Sequence, residues 1–265
     1  MTRMNKPSDD FGGSADPFKE QASELFKEVY RPRPRRINVD VVFVLDLTSS
    51  MEKFAQRIRQ QGVAFVDRIF ETFRRKIEKY ESFVLGRKRA RIVGFRDYGS
   101  SRNEAIAQTR FFDLENEEDR EKLDRVLTKL PCAGGRSGKK NALEALHHAV
   151  NSRWDRDESC GHRHFIIVLT DSPARPLKDA RSVANPYYPK DPNMPGTLDE
   201  LCEKYCDIHN GQSQRLLLCA PMKEYPWDML STWSYASLWG LDWIWDEDGF
   251  TDLFEEQLGC FLMLD

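Results

Sequence analysis

Residues Val39-Asp-Val-Val-Phe-Val-Leu45 form a run with one charged side chain among six apolar ones, and a second charge, Asp46, ends it. A strand this apolar has no face to offer water. It belongs in a sheet covered by helices on both sides, which is the environment of parallel β-structure. Two further runs read the same way, Phe165–Leu169 (FIIVL) and Arg215–Cys219 (RLLLC). Less apolar strands are expected at Arg89–Phe95 (RARIVGF) and Gln108–Leu114 (QTRFFDL).

Helical patterns fill the spaces between the strands. Phe54, Ile58, Val63, Phe65, Val66, Ile69, Phe70, Phe73 and Ile77 recur at helical spacing, and further helices are expected near 116–130, near 139–152 and from Leu198. Strands alternating with helices predict an α/β, doubly wound fold with a mostly parallel central sheet. No internal repeat is visible.

Residues 1–36 read as an N-terminal tail and residues 37–265 as one domain. In the tail, 1–16 is polar and expected to be disordered. Phe18, Leu25, Phe26 and Val29 after Asp16-Pro17 predict a short helix, and Arg31–Arg36, four arginines and two prolines, a linker. The domain's far end is unusual. From Glu224 to Asp265 there are ten acidic residues, no Lys or Arg, and five of the six tryptophans. Phe250, Leu253, Phe254, Leu258, Phe261 and Leu262 predict a last helix near 250–262 packed on the sheet.

Composition excludes several classes. Forty Lys+Arg against 43 Asp+Glu gives a net charge of −3, which does not favour nucleic acid. No stretch of 18 apolar residues predicts a membrane span, and the first 16 residues lack a signal-peptide core. Six scattered cysteines read as reduced thiols in a cytoplasmic protein. Cys202 and Cys206 stand on a helical face with Leu198, Leu201, Tyr205 and Ile208, so they are expected to pack rather than bind zinc with His209.

In open α/β sheets, ligands bind beyond the carboxyl ends of strands. Two buried strands deliver Asp46 and Asp171 to that edge, and Thr48 and Ser50 follow Asp46 at +2 and +4. The Gly-rich loop Cys132–Gly138 brings a third hydroxyl, Ser137. Carboxylates and hydroxyls are hard oxygen donors, suited to Mg²⁺ or Mn²⁺ rather than to zinc or copper. For Asp46 alone, a helix cap is an equal reading.

Three ordered segments resemble a known family. Asp46-x-Thr48-x-Ser50 after VVFVL, Gly134-Gly135-Arg136-Ser137-x4-Ala142-Leu143, and FIIVLTDSP over 165–173 are similar to the three metal-site segments of von Willebrand factor type A domains. The resemblance covers roughly residues 37–220 and is closest to the intracellular, bacterial kind. It implies a metal-ion-dependent adhesion site, with Thr48, Ser50 and Ser137 as hydroxyl ligands and Asp46 and Asp171 binding directly or through water. Thr48 stands where Ser is usual, Ser137 where Thr is usual and Ser172 where Gly is frequent.

The implied role is binding rather than catalysis. A protein partner presenting an acidic side chain would complete the metal's shell, in a kinase, phosphatase, ATPase or stress-response system. Arg96, Arg136 and Arg175, on the rim loops, read either as solvated surface charge or as holders of that acid. Asp97 reads as a second approach to the metal, as a turn cap, or as the partner of Arg96.

Two other readings stay open: an Asp-based, Mg²⁺-dependent phosphotransferase or phosphatase, and a scaffold with a vestigial site. The enzyme reading wants a second Asp at position 48, where Thr stands. His147-His148, His162 and His164 read as structural.

Overall fold

The structure is a computed structural model and describes residues 34–79, 82–99, 103–135, 138–208 and 213–240. The expected tail helix after Pro17 and the expected last helix near 250–262 lie outside these residues. From Arg35 onward the described residues belong to one compact unit.

The first strand, β1 (Arg35–Asp46), is buried from Ile37 to its end. It begins inside the stretch read as a linker: Arg35 and Arg36 are its first two, exposed residues. The charge in its middle is matched locally. Arg89 donates two hydrogen bonds to the Asp40 carboxylate, at 2.7 and 2.5 Å.

The chain continues through α1 (Glu52–Gln61), α2 (Val63–Glu78), β2 (Phe83–Phe95), β3 (Ile106–Gln108), β4 (Phe112–Asp113) and α3 (Glu117–Thr128). It closes with α4 (Ala142–Val150), β5 (Gly161–Leu169), α5 (Ala180–Val183), α6 (Leu198–Cys206), β6 (Gln214–Cys219), α7 (Trp227–Leu230) and β7 (Ala236–Trp239).

The long helical pattern over 54–77 is two helices, broken at Gly62. There φ is +53°, and a Cβ would lie 2.1 Å from Asp124 Oδ1, which accepts the Val63 amide at 2.9 Å. Only glycine fits so close a turn. α3 starts where Asn116 accepts the Asp119 amide, and its first turn is acidic.

Among the described residues the sheet order is β3-β2-β1-β5-β6-β7, with β4 also on β2. Pairings among β2, β1, β5, β6 and β7 are parallel, and β3 and β4 run antiparallel to β2. The single strand expected over 108–114 is therefore two short pieces, interrupted by Thr109–Phe111. β7 was not expected from the sequence.

Alternate residues of β1 face opposite cores. Val41, Phe43 and Leu45 pack with Phe65, Ile69 and Phe73 of α2 and Leu123 and Leu127 of α3. Val42 and Val44 pack with Leu143 and Leu146 of α4 and Leu201 and Tyr205 of α6. Helices thus cover both faces, as the apolar strands demanded. From β1 the sheet grows to β2 on one side and β5 on the other, so the topological switch point lies between β1 and β5.

Candidate metal centre

Asp46 is the last residue of β1, and Thr170 and Asp171 directly follow β5, so both carboxylates stand at the switch point. Asp46 is buried, at 2% exposure. Its Oδ1 accepts from the Thr48 amide at 2.9 Å and the Thr48 hydroxyl at 2.7 Å, and its Oδ2 accepts from the Thr170 hydroxyl at 2.7 Å. Burial pushes the Asp46 carboxyl above its ordinary range, the hydrogen bonds from Thr170 and Thr48 oppose that, and the nearby charge of Asp171 adds to it.

Ser50, exposed on the turn Ser49–Met51, donates to Asp171 Oδ1 at 3.0 Å, and its hydroxyl lies 3.1 Å from that of Thr48. The result is a continuous run of four side chains: Asp46, Thr48, Ser50, Asp171. Each hydroxyl has one proton. Thr48 can give its proton to Asp46 and Ser50 its own to Asp171, and in the 3.1 Å contact between them either hydroxyl can donate. Their lone pairs converge between two carboxylates, an arrangement that a cation relieves. The donor set therefore fits a hard divalent ion.

The loop leading to Ser137 packs directly on these residues. Ala133 donates to the Leu47 carbonyl at 3.0 Å, and Ser49 to the Gly134 carbonyl at 3.2 Å. At Gly135 φ is +84°, and a Cβ would lie 2.5 Å from Thr48 Cβ. Ser137 and Arg136 themselves lie outside the described residues. Four of the five expected ligands are thus placed, and the structure gathers those four.

Sequence reasoning missed three contributors. Thr170 is the buried hydroxyl holding Asp46. Its signal was present, a hydroxyl just before a strand-end Asp. Ser172 donates to Asp171 Oδ1 at 2.8 Å, and its carbonyl accepts from the Trp227 indole at 3.0 Å. Lys140 is 1% exposed and its ammonium donates to the Gly135 carbonyl. A Cβ at Gly135 would lie 2.8 Å from that nitrogen. Its positive charge beside the Thr48 loop opposes a divalent cation, and nothing in the local sequence marked it as buried.

The rim differs from expectation. Arg175 Nε donates to Asp97 Oδ1 at 2.8 Å, both side chains buried. Asp97 also accepts the Gly99 amide at 2.8 Å. The Asp97 carboxyl is engaged by Arg175 and caps its own turn, and Arg96 is not its partner: Arg96 donates to the Glu104 carbonyl at 2.9 Å. Burial and the ion pair also remove Arg175 from the expected set of acid-holding arginines.

Other candidates are structural. His147 is buried and lies 2.9 Å from Asp191 Oδ2. Burial brings the His148 ring down to about 4. Ser213 Oγ lies 2.9 Å from His164 Nδ1, with Asp40 Oδ2 at 3.8 Å from Nε2, but all three are buried and Nε2 sits closer to the Asp155 carbonyl, at 3.1 Å. Among the described residues no three His, Cys, Asp or Glu gather as a metal group, and His209, the third member of the cluster considered with Cys202 and Cys206, lies outside them. Likewise no described helix is long and apolar enough to cross a membrane.

A family model of the von Willebrand factor type A domain matches residues 40–187, more than half of the chain. No curated protein matches. Solved structures with a similar outline include the pilus adhesin SpaC of Lactobacillus rhamnosus GG, at 12% identity over 88% of this chain and 31% of that one, TM-score 0.48. Another is proximal thread matrix protein 1 of the mussel byssus, at 10% identity over 86% of this chain and 50% of that one, TM-score 0.45. A further structure of that byssus protein, with a zinc-occupied MIDAS motif, gives 12% identity over 91% and 52%, TM-score 0.42. The chain spans about a third of the adhesin and about half of the byssus protein, and likeness at these scores carries no functional weight.

Proposed function

The chain belongs to the von Willebrand factor type A family, and from that premise we propose that it is a metal-dependent protein-binding module, an adaptor rather than an enzyme. The observation that carries this reading is the run Asp46–Thr48–Ser50–Asp171, two carboxylates joined through two hydroxyls whose oxygens lie 3.1 Å apart. Thr48, Ser50 and Asp171 would hold Mg²⁺ or Mn²⁺, with Ser137 as a further hydroxyl from the adjoining loop. Asp46 supplies charge from beneath while orienting Thr48.

When bound, the ion supplies a Lewis-acidic position that prefers a charged oxygen to water, so an Asp or Glu of a protein partner is the ligand it selects. Ser50 is exposed and Asp171 partly so, which puts that position at the surface. Arg175 is committed to Asp97, which leaves Arg96 and Arg136 as the rim arginines that could help the ion hold the partner's acid.

A phosphotransferase reading is disfavoured by the same geometry. Asp46 is buried, and its two oxygens accept three hydrogen bonds, so it is poorly placed to attack phosphorus. Position 48 offers a hydroxyl where an acid/base is needed.

The test is capture of a partner by immobilised protein with Mg²⁺, with EDTA, and with Asp46→Ala whose melting temperature is confirmed. Capture only by the wild type with Mg²⁺ is expected. Equal capture under all three conditions would move the interaction to another face.

A further inference from the structure

In the middle of β2, Arg89 and Arg91 alternate onto the face that later holds Val93 and Phe95. Beyond the end of α4 that face is not covered by a helix. It opens instead into a groove of about 570 Å³ between β2, the segment joining β3 to β4, and the chain following α4. Four arginines line it, Arg89, Arg91, Arg110 and Arg153, around Phe111, and no carboxylate does.

Two of the four are paired. Arg89 is bound to Asp40, with its guanidinium 4.6 Å from the centre of the Phe111 ring, and Arg110 is bound to Asp119. The other two have no carboxylate partner among the described residues. Arg91 is anchored entirely by neutral acceptors: its Nε donates to the Thr109 carbonyl at 2.9 Å, Nη1 to the His148 carbonyl and Ser152 hydroxyl, and Nη2 to the Gln108 side chain. Four of its five N–H groups are therefore used, and its charge is compensated by none of them. Burial without an acid beside it lowers the affinity of Arg91 for its proton. Arg153 is exposed.

We propose that this groove is a binding site for a doubly charged phosphoryl group, free or as a monoester, held between Arg91 and Arg153. A rigid guanidinium already fixed by neutral hydrogen bonds costs little entropy to use, and its one remaining Nη2 N–H can make a charge-assisted hydrogen bond to a phosphate oxygen. Two uncompensated guanidinium charges match a dianion, whereas a single carboxylate would neutralise only one. The site is independent of the metal reading. In the β1–β2 register Arg91 pairs with Val42 while Asp46 pairs with Phe95, four residues along the strand, or on the order of 13 Å.

Calorimetric titration of the full chain with inorganic phosphate and, separately, with O-phosphoserine tests this. Saturable one-to-one binding is expected, falling about tenfold or more for Arg153→Glu. Arg153 is exposed, so that variant should melt as the wild type does. Arg153→Lys should lose less. Binding of phosphoserine alone would identify the source as an ester, and binding of both would show that the free ion suffices. The proposal is overturned by unchanged binding in Arg153→Glu, by acetate binding as tightly as phosphate, or by no saturation of either probe at about 10 mM, an affinity below about 3 kcal/mol.

Discussion

Gly135 shows how tightly the centre is built around single residues. Its φ of +84° already excludes most side chains, and a Cβ there would overlap Thr48. Gly134, at φ +77°, has nothing within 4 Å of the same position. Gly135→Ala should therefore cost about 3 kcal/mol, from backbone strain plus overlap, and Gly134→Ala about 1 kcal/mol from strain alone. Urea unfolding of the two variants checks the difference, and equal losses would show that the loop relaxes freely away from Thr48. Asp97 and Arg175 make a second residue-scale case. Removing either leaves a buried charge, so Asp97→Ala and Arg175→Ala should each cost about 3 kcal/mol or more, while the double variant costs much less than their sum. A double-mutant cycle with no coupling would refute the pairing. This pair also marks a limit of sequence reading. Arg96 stands next to Asp97 in the chain, but the partner that the fold supplies is 78 residues away, and no local pattern announces such a contact.

At the scale of elements, strands were easiest to foresee where burial on both faces left an unbroken apolar run, as in β1, β5 and β6. Prediction weakened where tertiary contacts decide. Gly62 interrupts a helical period that hydrophobic spacing alone carries straight through. β3 and β4 are short antiparallel pieces on the edge of β2, too brief to show a period. β7 is four residues long and forms because Trp233, Leu238 and Trp239 pack beside β6, a cause invisible in A-S-L-W itself. The same region ties the C-terminal part to the site. Trp227 is 1% exposed, and its indole holds the carbonyl of Ser172, next to Asp171. Truncation after Pro221 removes α7 and β7, leaves β6 as a bare edge, and strips that support. The truncated chain should lose its cooperative thermal transition. A soluble, cooperatively melting product would show that this part is a separate segment rather than part of the fold.

For the whole molecule, one topological fact places the chemistry. The sheet grows outward in both directions from between β1 and β5, and the carboxyl ends of those two strands bear Asp46 and Thr170-Asp171. The strand-end acids and the spaced hydroxyls were legible because metal donors must be oxygen-bearing and close in sequence on each loop. Lys140 and the arginine groove were not, because a basic residue's burial depends on what folds over it. The central claim is that these strand ends hold a divalent cation. Calorimetric titration of Mn²⁺ into the wild type, Asp46→Ala, Thr48→Ala and the Asp46→Ala/Asp171→Ala double variant tests it most directly. Weak one-to-one binding is expected in the wild type, several-fold weaker binding in Thr48→Ala, and none in Asp46→Ala or the double variant while each remains folded; undiminished Mn²⁺ binding in the folded double variant would rule out a cation at these strand ends.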